Sequence, residues 1–277
     1  MTHRGPSCVL LLAIVSIVGT ASANCKDDWI CVDAVAEGNA VALHARNLGD
    51  YPITYTLSVK TRNLRANGTK TVTRTLAPRQ SEQVMALTSS DKLRVSDYNY
   101  SYDWTIGDKD AVHDDDHLYA LPYGSGRSYR VLQGYGSRFS HTGLEEFAID
   151  FNMPIGTAVH AARGGVVARL EESNARGCWE DGCGKFANFI VILHSDGTTG
   201  EYFHLQEHGA LVNVGDSVSQ GQKIAYSGNT GHTTMPHLHF AVYRATEWGN
   251  TQSIPVRFQG VDGIIARPRR GGRYQAM

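Results

Sequence analysis

Short segments in which apolar and polar residues alternate, rich in β-branched and aromatic side chains, recur along the first half of the chain. Turn residues such as Asn67-Gly68 and Pro78 separate them at near-regular intervals. This pattern predicts many short strands and favours an antiparallel immunoglobulin-like β-sandwich over residues 24–112. The predicted strands cover residues 40–45, 53–59, 71–76, 83–87 and 98–104.

The second half also alternates, with frequent glycine at the joints and no long amphipathic helix. Ser195-Asp196-Gly197-Thr198 lies between two such segments and is typical of a β-hairpin. We therefore predict an all-β chain whose second domain, residues 129–260, is a mainly antiparallel sheet. A polar linker would cover residues 113–128, and a basic, solvated, poorly ordered tail residues 261–277. The predicted strands of the second domain cover residues 147–151, 165–170, 189–194, 200–205 and 237–243.

The first 23 residues have the pattern of a secretory signal peptide. Arg4 precedes an apolar stretch over residues 9–18, and Ala21-Ser22-Ala23 is a small-residue cleavage site. The apolar stretch is too short for a comfortable membrane span. The sequence thus predicts a monomeric periplasmic or secreted protein with no integral membrane segment once the signal is removed.

Four cysteines follow the predicted signal, and export changes how they are interpreted. An even number of cysteines in an oxidising compartment favours two disulfides. The close spacing favours the local pairs Cys25–Cys31 and Cys178–Cys183. A four-cysteine zinc site is the less favoured alternative, because the two pairs lie far apart in the chain.

The formal net charge of the chain is −1, which gives no indication of a nucleic-acid partner. Arginines cluster only near the C-terminal end of the sequence. This cluster favours a solvated tail, with weak binding of an anionic cell-wall polymer as the lesser alternative. Its members are Arg267, Arg269, Arg270 and Arg273.

His237 and His239 lie two residues apart in an apolar, aromatic segment that is predicted to be a strand. Residues at positions i and i+2 of a strand point to the same face, so both imidazoles should enter one site. Leu238 and Phe240 should then pack on the opposite face. Two such histidines can divide the work between metal binding and proton transfer.

Asp150 alternates with apolar residues, which places one carboxylate on the face opposite Ile149 and Phe151. A buried carboxylate without a partner is costly, so it requires a cation, donors or a metal. With His141 and His239 it completes a two-histidine, one-carboxylate set. Such a set suits tetrahedral zinc with one position open for water.

His204 follows the same strand logic. Alternation places Tyr202 and His204 on one face and Phe203 and Leu205 on the other. We expect His204 to pair with His237 as a base and an acid or electrophile for peptide hydrolysis.

With these residues in place, residues 129–243 resemble the M23 family of zinc metallopeptidases, of the lysostaphin and LasA type. The resemblance is carried by His141 with Asp150, by the strand motif that ends in His204-Leu205, and by the His237-Leu238-His239 strand. Glycine-rich turns such as Gly228-Asn229-Thr230-Gly231 are also similar.

The resemblance implies one zinc ion held by His141, Asp150 and His239, with His204 and His237 as the catalytic pair. It implies peptide-bond hydrolysis by a zinc-activated water in peptidoglycan cross-links or stem peptides. In that reaction His237 would accept and pass on the proton, and zinc with His204 would stabilise the tetrahedral oxyanion. The nine-residue step from His141 to Asp150 is longer than in the lysostaphin type. It implies a loop beside the metal, in which we expect Glu145 and Glu146 to be solvated rather than in contact with substrate.

Three other functions stay open. The first is a non-catalytic cell-wall binding protein that regulates an amidase, although such proteins usually lack zinc ligands. The second is a D-alanyl-D-alanine type zinc peptidase, which would require a Glu-x-x-His segment. The third is a secreted protease that acts on glycine-rich host proteins.

Overall fold

The computed structural model describes residues 24–277, so the predicted signal peptide lies outside the described residues. Across that range the secondary structure consists of strands and three single-turn 3-10 helices, without an α-helix. The prediction of an all-β chain is confirmed. Residues 24–277 also contain no helix with the length and hydropathy that a membrane crossing requires.

The strands of the two halves follow one another in chain order. The N-terminal strands are β1 (Asn24–Lys26), β2 (Ile30–Glu37), β3 (Ala40–Asn47), β4 (Ile53–Arg62), β5 (Leu64–Ala66), β6 (Thr71–Leu76), β7 (Ser81–Ser89) and β8 (Asp97–Ile106). The next are β9 (Leu118–Ala120), β10 (Ser128–Gln133), β11 (Ile149–Phe151), β12 (Ala158–His160), β13 (Gly165–Glu171), β14 (Gly177–Cys178), β15 (Phe189–Leu193), β16 (Thr199–Phe203) and β17 (Leu205–Ala210). The last are β18 (Ser217–Val218), β19 (Lys223–Ser227), β20 (Gly231–His232), β21 (Leu238–Ala245), β22 (Thr251–Ile254), β23 (Arg257–Gly260), β24 (Gly263–Ile265) and β25 (Arg273–Gln275). The 3-10 helices are Gly143–Glu145, Cys183–Phe186 and Glu247–Gly249.

The N-terminal strands form two antiparallel sheets around one apolar core. One sheet has the order β1-β2-β3-β7-β5 and the other β6-β4-β8. Ile30, Leu43, Tyr55, Leu57 and Tyr102 are among the buried residues that the two sheets share. The immunoglobulin-like assignment of this sandwich stays a prediction.

The second half is built on a nine-stranded sheet with the order β18-β13-β15-β16-β21-β11-β10-β25, in which β22 also pairs with β21. All pairs of this sheet are antiparallel, and β15 and β16 form the hairpin predicted at residues 195–198. The central strand β21 contacts β16 along one edge and β11 and β22 along the other. One face of the sheet covers a second apolar core that includes Ile149, Phe151, Leu238 and Phe240.

The segments predicted as linker and tail both contribute strands to the second half. β9 runs parallel to β23, and Tyr119 and Leu121 are fully buried in the second core. β25 pairs with β10, and Gly134 lies so close to the Pro268 carbonyl that a Cβ atom would have no room. The C-terminal segment therefore differs from the expected solvated tail, because its backbone is paired with the sheet.

Both local disulfides are present. Cys25 and Cys31 join the antiparallel strands β1 and β2, and Cys178 is bonded to Cys183 across a short loop. The four cysteines are paired in this way instead of surrounding a metal. The second disulfide fixes the loop that carries Trp179, whose ring lines the cleft described below.

His194, next to the β15–β16 hairpin turn, is a buried histidine outside the candidate site. Its Nδ1 donates a hydrogen bond to the Gly164 carbonyl (3.0 Å), whereas its buried Nε2 has no partner among the described residues. Burial lowers the pKa of His194 to about 4. The folded protein thus takes up this proton at lower pH than the unfolded chain.

This shift predicts an acid-sensitive contribution to stability. The stabilisation is present above the ordinary histidine pKa of about 6.5 and is lost as the pH falls towards 4, by about 3 kcal/mol. We expect His194→Asn, which keeps a donor for the Gly164 carbonyl but does not titrate, to remove this loss. Urea unfolding at pH 7 and pH 4 with chelator, for wild type, His194→Asn and the exposed control His208→Asn, measures it. Equal losses in wild type and His194→Asn would contradict the prediction.

Candidate metal centre and cleft

Two neighbouring strands bring the predicted residues together. In the antiparallel pairing of β11 with β21, Asp150 lies directly opposite His239. Directly opposed residues point to the same face, so both side chains leave the sheet on the side away from the core. The apolar faces of the two strands are buried, as the alternation predicts, because Ile149 and Leu238 are inaccessible to solvent.

Three side chains converge at this point. Oδ1 of Asp150 lies 3.0 Å from Nδ1 of His239 and 3.3 Å from Nε2 of His141. His141 is reached through the loop before β11 and is 1% exposed. One ligand atom from each residue lies within 4.8 Å of the others, as a shared metal ion requires.

The donor set fits a zinc ion. Neither ring nitrogen of His141 has a hydrogen-bond partner among residues 24–277, although both are buried. Such orphaned polar atoms are rare and call for an explanation, for which a metal is one option. Two ligands about 2.0–2.1 Å from a tetrahedral zinc lie about 3.3 Å apart, close to the separations found here.

Gln133, at the end of β10, fixes the Asp150 carboxylate. Its Nε2 donates to Oδ2 of Asp150 (2.6 Å) and to Oγ of Ser140 (2.8 Å). The two carboxylate oxygens are thereby divided, with Oδ2 bound to Gln133 and Oδ1 facing the histidines. Gln133 was not among the predicted site residues, because only the pairing of β10 with β11 reveals that it is a neighbour of Asp150.

A second support lies behind His239. Nε2 of His239 donates to the Tyr243 hydroxyl (3.2 Å), which donates to Oε2 of Glu145 (2.6 Å). Because the Tyr243 hydroxyl donates to Glu145, it accepts from Nε2–H of His239. A metal bound at Nδ1 would then replace the hydrogen bond between Nδ1 and Oδ1 of Asp150 (3.0 Å). The expectation that Glu145 is only solvated is wrong, because its carboxylate ends this relay. Tyr243 lies four residues after His239 on the same face of β21, so strand alternation from His239 would have predicted its place in the site.

His204 reaches the site differently from the prediction. Tyr202 packs against Phe240 in the core, and it is Phe203 whose ring faces His239. The expected alternation of Tyr202 and His204 on one face is therefore wrong. His204 follows the end of β16 with φ = 63°, a left-handed conformation that redirects its side chain to the site.

His204 and His237 lie side by side, with ring centroids 4.5 Å apart. Nδ1 of His204 donates to the Thr230 carbonyl, and Nδ1 of His237 donates to the Met235 carbonyl, both at 2.7 Å. Both bonds leave Nε2 as an acceptor in the neutral ring. Nε2 of His237 lies 3.7 Å from Oδ1 of Asp150, next to the candidate metal position.

The electrostatics of the site separate these groups. Burial raises the pKa of Asp150, but its contacts with His141 and His239 outweigh burial and hold the pKa well below the ordinary value. Burial and the neighbouring histidines lower the pKa of His204 to about 3. Burial also lowers the pKa of His237, and the charge of Asp150 opposes that shift. The charge of Asp150 raises the pKa of both rings; for His237 it is the largest effect that opposes burial, whereas for His204 it is the smallest of the causes.

An open cleft of about 1000 Å³ passes over the site. Asp150, His204, His237 and His239 line it, while His141 lies beneath the surface. One wall is aromatic, with Phe139 stacked on Trp179 (ring centroids 5.4 Å apart), and Trp179 packed against His232 (4.2 Å). The cleft is large enough for an extended peptide.

A family model now identifies the second half. The model for peptidase family M23 matches residues 145–253. These residues form a peptidase family M23 domain. The match includes Asp150, His204, His237 and His239 and begins four residues after His141. It confirms, at the level of the family, the prediction of a metallopeptidase-type enzyme.

Several named proteins are similar to the M23 domain. Peptidoglycan DD-endopeptidase ShyA of Vibrio cholerae is 35% identical over 116 residues, which is 40% of this chain and 24% of ShyA. Lysostaphin of Staphylococcus simulans is 36% identical over 115 residues, 41% of this chain and 21% of lysostaphin. The solved catalytic domain of that lysostaphin is 30% identical and covers 46% of this chain and 87% of its own, with a TM-score of 0.33. The chain spans about a quarter to a third of the length of the first curated relatives that it matches.

The relay behind His239 yields a prediction for metal affinity. Tyr243→Phe removes the acceptor for Nε2 of His239, and the loss of such an outer partner typically weakens metal binding about 10- to 100-fold. Competitive titration of the metal-free protein with zinc and a chromophoric chelator measures this. Tyr226→Phe is the matched control, because the Tyr226 hydroxyl accepts a hydrogen bond from Lys223 outside the cleft. An unchanged dissociation constant in Tyr243→Phe would remove the relay from metal binding.

Proposed function

We propose that this chain is an exported zinc metalloendopeptidase that hydrolyses peptide bonds in peptidoglycan. The observation that carries the proposal is the convergence of His141, Asp150 and His239 beside two histidines whose Nε2 atoms are free to accept protons. The M23 family match supports the same reaction class.

In this proposal His141, Asp150 and His239 hold one zinc ion per chain. The chemistry that zinc supplies when bound is Lewis acidity, which lowers the pKa of a coordinated water and polarises a peptide carbonyl. Gln133 orients Asp150, and Tyr243 keeps the proton of His239 on Nε2. These contacts hold the ligand atoms in position before substrate arrives.

His237 is the proposed general base. Its Nε2 is an acceptor, because Nδ1–H is held by the Met235 carbonyl, and it lies beside the metal position. Asp150 favours the imidazolium that forms when His237 takes a proton from water. His237 then passes that proton to the leaving amine, so one residue serves both half-steps.

His204 is the proposed second acceptor. With Nδ1–H held by the Thr230 carbonyl, its Nε2 has no proton to donate while the ring is neutral. We propose that neutral His204 accepts a hydrogen bond from water or from a substrate N–H. It would donate to the tetrahedral oxyanion only in its protonated form, which burial disfavours.

The proposed substrates are the stem or cross-link peptides of peptidoglycan. ShyA is named as a peptidoglycan DD-endopeptidase, and ALE-1 of Staphylococcus capitis as a glycyl-glycine endopeptidase. Both names support a cell-wall peptide as the substrate, but they specify different peptide bonds, a DD bond in ShyA and a glycyl-glycine bond in ALE-1.

The remaining proposals concern organisation. We propose two domains, residues 24–112 and 129–260, which the two separate cores support. Residues 113–128 and 261–277 are assigned to the second, because their strands pair with it. Export to a periplasmic or secreted location is supported by the signal pattern of residues 1–23.

The proposal predicts a clean division between metal loss and loss of turnover. His239→Ala removes a ligand, so we expect it to lose zinc and activity together. His204→Ala and His237→Ala should keep about one zinc per chain and lose activity by about 10²-fold or more. Zinc content by elemental analysis, and release of new amino groups from purified peptidoglycan with and without chelator, are the measurements.

His208→Ala, an exposed histidine outside the cleft, is the control. Full activity in His204→Ala would exclude that residue from the reaction. Zinc bound by the wild type without release of amino groups would contradict the endopeptidase and favour the non-catalytic regulator of an amidase. Absence of zinc in the wild type would overturn the metal assignment.

A further inference from the structure

Three arginines line the cleft without an acidic partner. Arg130, Arg138 and Arg270 are exposed and belong to the cleft lining. In the part of the chain that the structure describes, no Asp or Glu oxygen lies within 4.0 Å of their guanidinium groups. Their donors are thus free to bind a ligand, and a carboxylate matches the fork of a guanidinium best.

Arg270 reaches the cleft because the C-terminal segment pairs with the sheet. The amide of Gly271 donates to the Val131 carbonyl, and the amide of Val131 donates to the Gly272 carbonyl, both at 2.8 Å. Val131 lies on β10, directly beside the strand that carries Asp150. The segment is therefore held two strand positions from a candidate metal ligand.

This placement sets the distance between the cations and the reacting bond. Two strand spacings amount to about 10 Å. A peptide that crosses the strands and advances about 3.4 Å per residue would place a group bound at Arg270 about three residues from the scissile bond. Arg130 lies on β10 itself, where its carbonyl accepts from the amide of Asn152 (2.8 Å), two residues after Asp150.

The charge of the cleft is one-sided. Its lining carboxylates are Glu145 and Asp150, and both are engaged at the metal centre. The wall of Phe139, Trp179 and His232 carries no carboxylate. The three arginines therefore attract an anionic peptide, and no cleft-lining carboxylate outside the metal centre repels it.

We propose that Arg130, Arg138 and Arg270 bind free carboxylates of the substrate peptide, within about three residues of the cleaved bond. The enzyme then selects acidic peptides over uncharged, glycine-rich ones. This inference rests on the proposed function, since it names the substrate class of the same cleft.

The test uses two synthetic peptides that differ only in charge. One is an acidic stem-type peptide with free carboxylates, and the other is the same peptide with every carboxylate converted to a carboxamide. We expect the wild type to cleave the acid with a kcat/KM about tenfold higher than the amide, as for an exposed charge-assisted contact. The preference should fall at high salt, because exposed charges are screened.

The variant Arg130→Gln/Arg138→Gln/Arg270→Gln should cleave both peptides equally, at the rate of the wild type on the amide. Arg270→Lys should keep part of the preference. The single variant Arg270→Gln should lose part of the preference. Arg267→Gln, on the same segment but outside the cleft lining, and Arg65→Gln in the N-terminal sandwich each remove one charge, as Arg270→Gln does, and should leave the preference unchanged.

A second measurement separates this inference from the proposed function. Fluorescence anisotropy of labelled acid and amide peptides on chelator-treated protein reports binding without turnover. Acid-selective binding that the triple variant loses supports the arginine subsite even if the wild type releases no amino groups from purified peptidoglycan, a result that would refute only the peptidase. Equal binding and equal cleavage of both peptides by the wild type would overturn the subsite while the peptidase stands.

Discussion

Asp150 is a buried carboxylate, and the cost of removing its charge from water constrains everything around it. Each oxygen must find a partner, and the partners come from different strands. Gln133 on β10 holds Oδ2, while His239 on β21 and His141 on a loop face Oδ1. A one-residue slip in the pairing of β10 with β11, or of β11 with β21, would turn these side chains to the opposite face of the sheet. The register of the three strands therefore depends on this one group.

Much of this could be read from period-two alternation. An apolar residue on each side of Asp150, and Leu238 between His237 and His239, are local patterns that state which face each side chain takes. The strands that carry them follow from the same signal, and so does the all-β class. Cys25–Cys31 and Cys178–Cys183 were accessible because close spacing limits the partners.

Alternation cannot predict where the alternation itself is interrupted, nor which residues distant in sequence become neighbours in the fold. His204 adopts a left-handed backbone at a strand end, so counting faces through Tyr202 gave the wrong side. Gln133 and Glu145 reach the site only through strand pairing and loop closure, neither of which a single sequence specifies. The arginines near the C-terminal end looked like a solvated tail because composition reports charge and not hydrogen-bond partners.

The pairing of β25 and the Gly271–Gly272 turn with β10 also protects the protein from aggregation. Removing residues 261–277 would strip β10 of its outer partner and leave a row of open N–H and C=O groups beside an apolar core. Such an edge is a template for intermolecular strand addition. Solubility therefore constrains the backbone of this segment more than its side chains. Substitutions that change its charge should be tolerated at side chains such as Arg270, whereas changes that break the paired backbone around Gly271 should not.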